Sequence, residues 1–327
     1  MAKLPHVQLI FTGGTISMEV DQVVGAAVPV RSGEQILASA PGLDKFASFG
    51  INNFAKLPGP HMTPPLMSEL AAMVRELLED DATAGAVITH GTDTLEETAY
   101  FLDLVHSSPK PVAFVGAMRN ASELGWDGPP NLISAVRAVT DPSTRDLGVL
   151  IVMNEVILAA AEATKTHTES VDTFQSPDFG PLGIVDKDCV MVTRRPTHRT
   201  HIAASSTLPD VALVKMAAGM DGRMIRAAAS TGAAGLVIEA LGRGNVPPEA
   251  MPAIREVLTA GLPVVIASRC LRGRVLDTYG YPGGGHLLRE LGCLFAGSLP
   301  GQKARIRLML ALSAAGRSGV EEYFESL

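Results

Sequence analysis

The stretch Val87-Ile-Thr-His-Gly-Thr-Asp-Thr-Leu-Glu-Glu-Thr-Ala-Tyr100 decides the fold. Its first part completes an apolar run, Gly85 to Thr89, of the kind a buried strand makes. The chain then turns through His90-Gly91-Thr92-Asp93. After Thr94 the apolar residues take helical spacing, at Leu95, Ala99, Leu102 and Val105. Thr94 and Glu97 have the spacing of a capping box, which predicts that each side chain reaches a free N–H at the helix start. A hydroxyl and a carboxylate, Thr92 and Asp93, thus lie between the C-terminal end of a strand and a helix N-terminus. Open α/β sheets bind ligands there, and the helix start favours developing negative charge. A plain capped turn has the same local pattern, so the rest of the chain must decide.

Working outward, Val7 to Phe11 reads as a buried first strand ending in Thr12-Gly-Gly-Thr15. Paired glycines permit a sharp turn and close approach. The motif is neither G-x-G-x-x-G nor a Walker A loop, which discounts nucleotide binding. Ser17 to Val30 lacks helical period and reads as a mobile loop over a site. Helices are predicted over Ser32 to Ala40, Leu66 to Glu79, Leu95 to Val105 and Asn131 to Val139. Strands are predicted over Pro111 to Val115 and Leu147 to Met153. Repeated β-α-β units point to a largely parallel sheet covered by helices. Val156 to Pro181 is polar and irregular, and Ile184 to Val192 reads as a strand or hairpin. Arg194 to Asp210 is basic, Ser/Thr-rich and bracketed by prolines, which reads as a linker. A smaller α/β domain follows, with strands at Val211 to Lys215, Gly235 to Glu239 and Pro263 to Ala267. Its helices are predicted at Met224 to Ala229, Pro248 to Ala260 and Gln302 to Ser313. The expected domains are 1–193 and 211–327, joined by 194–210.

The chain has 327 residues, 46% of them hydrophobic and 19% charged, enough apolar content for a sizeable core. A net charge of -7 argues against nucleic-acid binding and supplies no polybasic membrane patch. No apolar run is long enough to span a bilayer. The N-terminus shows no secretory apolar region. Cys189, Cys270 and Cys293 form no metal-ligand or redox spacing and read as thiols in a reducing, cytoplasmic compartment.

Three polar clusters, Thr12 to Thr15, Thr92–Asp93 and Thr164 to Thr166, fall where strands of the first domain should end. A threonine hydroxyl is a weak nucleophile unless a base takes its proton. Lysine serves as that base when burial lowers its hold on the proton. Aspartate can orient the lysine or bind an ammonium group, and glycine-rich turns supply N–H donors for a tetrahedral oxyanion. The parts suit an acyl-transfer hydrolase without metal.

Thr12-Gly-Gly-Thr-Ile16, Ile88-Thr-His-Gly-Thr-Asp-Thr94 and Thr164-Lys-Thr-His-Thr-Glu-Ser-Val-Asp-Thr-Phe174 resemble the bacterial-type L-asparaginase/glutaminase family. So do Val115-Gly-Ala-Met-Arg119, Asp127-Gly-Pro129, Ser176 to Gly183 and Gln302-Lys-Ala-Arg305. The resemblance runs through nearly all of the first domain and thins in the second. It implies a larger N-terminal α/β domain with a mostly parallel sheet, and a smaller flavodoxin-like C-terminal one. It also implies hydrolysis of a side-chain amide to carboxylate and ammonia, with no cofactor. Thr15 matches the family's nucleophile, Thr92 and Lys165 its proton-transfer pair, and Asp93 the residue that binds the substrate's α-ammonium. The family assembles as tetramers of close dimers, and Asn245 is a candidate contribution to a neighbour's site; an ordinary turn asparagine reads the same way.

The sequence departs from the family in the first loop, where the resemblance implies a tyrosine that polarises the nucleophile, and at the residues that meet the substrate's head group. Ser17 to Val30 contains no tyrosine where many members carry one. The Ser-Gln or Ser-Ser pair that grips the α-carboxylate is replaced at Gly59 and Pro60, with His61 following. Tyr281 to His286 has no acid to meet the α-ammonium. An altered or substituted amide substrate, or a ligand-binding protein without turnover, are therefore the alternatives to an asparaginase.

Overall fold

The computed structural model describes residues 4–205 and 207–324. The chain divides into two compact units, one ending at His201 and the other beginning at Ile202.

In the first unit, β1 (His6–Gly13) leads to a hairpin of β2 (Met18–Asp21) and β3 (Ala26–Pro29). The short helix α1 (Gly33–Ala38), β4 (Ser48–Leu57) and α2 (Pro64–Glu79) follow. Next come β5 (Thr83–Thr89), α3 (Leu95–Val105), β6 (Val112–Val115), α4 (Gly128–Thr140) and β7 (Val149–Met153). The unit closes with β8 (Val156–Ala159), β9 (Thr164–Lys165), β10 (Phe174–Gln175), β11 (Gly183–Val185) and β12 (Val190–Val192). Eight strands form one sheet in the order β12-β11-β8-β7-β6-β5-β1-β4. Pairing is parallel from β4 through β7 and antiparallel from β7 to β12. Helices cover both faces of the parallel part, which explains its continuous apolar runs. Val7, Leu9 and Phe11 cluster with Leu132 and Val136 of α4. Alternate residues such as Ile10, Ile88 and Phe114 point to the other face. Each fully buried side chain of this size contributes about 1.5–3 kcal/mol of apolar burial.

Local chemistry explains several element ends. Ser32 and Gln35 form the capping box of α1, each side chain meeting the other's backbone N–H. The segment predicted as a mobile loop, Ser17 to Val30, is instead the β2–β3 hairpin. Asp21 Oδ1 accepts from the N–H groups of Val23 and Val24, and Gly25 supplies the left-handed turn residue at φ 68°. The irregular stretch from Val156 onward likewise holds β8 and the two-stranded β9–β10 sheet.

The second unit is a four-stranded sheet, β13 (Val211–Lys215), β14 (Gly235–Ala240), β15 (Val264–Ser268) and β16 (Leu294–Pro300), parallel throughout and in sequence order. Helices α5 (Arg223–Ser230), α6 (Met251–Thr259), α7 (Gly285–Glu290) and α8 (Gly301–Gly319) complete it. Its core joins Ile225 of α5, Ile254 of α6 and Leu288 of α7 to Leu236, Ile238 and Ile266 of the sheet. Both units match the expected class, an α/β protein with a larger, mostly parallel first domain and a smaller parallel second one.

Candidate active site

The turns after β1, β4 and β5 meet backbone to backbone. A Cβ on Gly14 would lie 2.4 Å from Gly91 N, and one on Gly91 would lie 2.5 Å from both Gly59 N and Gly59 Cα. Neither position admits a side chain, and Gly14 also sits at φ 83°. Polar bonds fix the same meeting. Thr12 Oγ1 donates to Thr89 O at 2.7 Å, Gly14 N donates to Leu57 O at 2.9 Å, and His90 N donates to Val115 O at 2.9 Å. The turn after β5 is thereby tied to both neighbouring strands.

Thr15 follows Gly14 in a single 3-10 turn, Thr15–Ser17. Its side chain is half-buried, and its hydroxyl makes no hydrogen bond among the described residues. Ser17 closes the turn through its N–H and hydroxyl, both donated to Gly14 O. The Ser17 carbonyl then accepts from Val30 and Arg31, closing the base of the hairpin.

Thr92, Asp93 and Lys165 come together although 72 residues of chain separate Asp93 from Lys165. Lys165 Nζ donates to Thr92 Oγ1 at 2.9 Å and to Asp93 Oδ1 at 2.7 Å. Thr92 is buried, the Lys165 side chain is 16% exposed and that of Asp93 is 60% exposed. A pair with one partner so exposed adds little to stability; its effect is to orient the lysine toward the threonine. Thr164 to Thr166 does not end a strand of the main sheet, as the sequence suggested. Thr164 and Lys165 form β9, which pairs antiparallel with β10, and Thr166 follows it.

His90 sits beneath this turn. Its Nδ1 bonds Gly91 O at 2.8 Å, and since a carbonyl only accepts, Nδ1 carries the proton. Burial pushes the imidazole pKa down from 6.5 to about 4, with the Gly91 carbonyl bond opposing. The ring is neutral at neutral pH, and its buried Nε2 has no hydrogen-bond partner among the described residues.

The remaining predicted residues lie as follows. Gly59, Pro60 and His61 form one 3-10 turn, with Gly59 buried against Gly91 and Asp93 and with Pro60 and His61 exposed. The N–H of His61 is turned inward to Pro58 O, and Pro60 has none. Thr94 makes no side-chain cap on α3, contrary to the capping-box expectation. Its hydroxyl donates to Gly59 O at 2.7 Å instead. Asn245, in the second unit, bridges Leu241, and its Oδ1 accepts from Gly285 N at 3.3 Å.

Sequence reasoning left Asp127 and Asn131 without roles. Asp127 accepts from the N–H groups of Met118 and Arg119 and, with Asn131, braces the turn after β6. Asp127 lies in the Asp127-Gly-Pro129 motif, four residues before Asn131, and that spacing across the start of a helix was the available signal.

Comparison with known proteins agrees with this architecture. Residues 6–198 match the family model for the asparaginase N-terminal domain, and 210–324 match that for the glutaminase/asparaginase C-terminal domain. The chain is 35% identical over 318 residues to an L-asparaginase of Bacillus licheniformis, covering 97% of this chain and 98% of that one. It is 38% identical over 328 residues to a probable L-asparaginase of Deinococcus radiodurans, covering 99% and 98%. A crystal structure described as a probable cytoplasmic L-asparaginase from Campylobacter jejuni superposes with a TM-score of 0.88 at 32% identity, covering 98% of each chain. Fold and matches together define a two-domain α/β amidohydrolase. The chain belongs to the asparaginase family.

Proposed function

We propose that the chain hydrolyses the side-chain amide of L-asparagine, or of a closely related amide, to carboxylate and ammonia, with Thr15 as nucleophile. The observation that carries this reading is Lys165 Nζ held between Thr92 Oγ1 and Asp93 Oδ1 at 2.9 and 2.7 Å, on a turn whose Gly91 touches the Gly14 that precedes Thr15. In the first half-reaction Thr15 Oγ bonds to the amide carbon and its proton is passed on. The amide nitrogen gains a proton and leaves as ammonia, and an ester to Thr15 remains. In the second, water adds to the ester carbon, its proton moves through the Thr92–Lys165 pair, and Thr15 is released with the product acid. Backbone N–H groups of the glycine turn and the start of α3 suit the oxyanion of both steps. Asp93, open to solvent, suits a substrate ammonium.

One observation favours a substrate altered at its head group. The Gly59–His61 turn offers a proline without N–H and a histidine whose N–H is already used. A site lacking donors for an α-carboxylate loses the charged hydrogen bonds worth about 1.5–3 kcal/mol each. Ammonia release from ~1 mM L-asparagine, with Thr15→Ala as the blank, decides. Turnover abolished by the substitution supports an asparaginase. Absence of turnover moves the substrate to amides without a free α-amino or α-carboxyl group, and binding without hydrolysis of any of them leaves a ligand-binding protein. The same reading includes a cytoplasmic location, stated for the Campylobacter jejuni neighbour. It also includes a homotetramer of close dimers to which Asn245 contributes, without nucleic acid or membrane as partner; light scattering giving the mass of one chain would remove the tetramer.

A further inference from the structure

Strands β9 and β10 form a two-stranded sheet of their own, outside the eight-stranded sheet. Main-sheet pairing therefore does not set where Lys165 lies against the β5–α3 turn. Lys165 makes three hydrogen bonds to the segment 92–96. Two come from Nζ, to Thr92 and Asp93. The third comes from its backbone N–H, which donates to Glu96 Oε2 at 3.3 Å. Glu96 lies in the first turn of α3 and is 7% exposed. Polar oxygens buried to that degree need hydrogen-bond donors, and the Lys165 N–H is one of them.

We propose that Glu96 is a positioning residue for amide hydrolysis. Its carboxylate fixes the β9 main chain against α3, so that the Lys165 side chain reaches Thr92 and Asp93 without searching. The inference rests on the assignment of Lys165 under the proposed function. The lysine stem is long and rotatable, and a main-chain shift near 1 Å would carry Nζ beyond hydrogen-bond range of at least one partner. Misplacement of that size costs about 100-fold in rate.

The test has two readouts. The first is the rate at which acetic anhydride modifies Lys165, read by peptide mass spectrometry, which needs no substrate. The second is kcat for ammonia release. Glu96→Ala should speed Lys165 acetylation several-fold and lower kcat about 100-fold with KM little changed. Glu96→Gln keeps an oxygen acceptor and should stay near wild type in both. In a Lys165→Met background, Glu96→Ala should add no further loss, because residues acting through one group are not additive. Unchanged Lys165 acetylation in folded Glu96→Ala, or additive losses in the double variant, overturns the proposal. Should Glu96→Ala fail to fold, Glu96→Asp withdraws the carboxylate by one methylene and is read by the same labelling. If Lys165→Met releases ammonia at the wild-type rate, the role given to Lys165 fails, while the labelling still decides whether Glu96 holds it.

Discussion

The hydroxyl of Thr94 ends on the carbonyl of Gly59, 2.7 Å away, and not on an N–H of the helix it precedes. This bond couples the turn after β5 to the turn after β4. The Gly59 carbonyl also accepts from Met62 N at 3.1 Å, so it keeps a partner when the hydroxyl is removed. Thr94→Val is therefore expected to cost only about 1 kcal/mol. The Gly59–His61 turn is freed on the side facing Asp93, so KM should rise more than kcat falls. Thermal unfolding and steady-state kinetics on one preparation check both.

Gly91→Ala should act differently. The new methyl would meet Gly59 N and Cα at 2.5 Å, well inside van der Waals contact. The obstacle is backbone, so one turn must move. Overpacking of this kind costs about 1–3 kcal/mol, and displacing the turn that carries Thr92 should lower kcat about 100-fold. Denaturant unfolding that shows a stable protein with full activity would contradict the close packing of these turns.

His90 gives a pH dependence whose sign follows from its burial. In the unfolded chain it takes a proton near its ordinary 6.5, whereas in the folded chain it resists protonation until about 4. Between these values the unfolded state binds more protons, so stability falls as pH falls. Its contribution is complete above about 6.5, and about 3 kcal/mol is lost by the time pH reaches 4. His90→Asn does not titrate and retains an N–H for Gly91 O. The difference in unfolding free energy between wild type and variant should narrow against wild type from pH 7 to pH 4.5, and a constant difference would refute the assignment.

Lys165→Met and Thr92→Val should each lower kcat by about 10²- to 10⁴-fold, the range of a proton-transfer group. Combined, they should cost little more than either alone, because Nζ and Oγ1 act as one hydrogen-bonded unit. Equal, multiplicative losses would assign them separate tasks.

What the sequence made legible follows the reach of each interaction. The β5–α3 unit was readable because its apolar spacing changes at Thr94, within one window. β4 was not, since Gly50, Asn52 and Asn53 interrupt a half-exposed edge strand. α7 and β16 were also missed; α7 has six residues, and Gly297 breaks the run in β16. The capping box at Thr94 failed for a tertiary reason, because Gly59 competes for the hydroxyl from 35 residues away. The meeting of Lys165 with Thr92 spans 73 residues on a two-residue strand. No local pattern encodes such a contact, and only the resemblance of whole motifs pointed to it. Glu96 had no motif role, and its part emerged from the direction of one backbone N–H.

The contact among Gly14, Gly91 and Gly59 contains no side-chain atom beyond hydrogen. An engineer seeking a new substrate range therefore has no adjustable group at the junction itself, and any library that varies it will return mostly inactive clones. The freedom lies beside it, at exposed Pro60 and His61 and along the hairpin 18–29, where side chains can be exchanged while the junction keeps its registration.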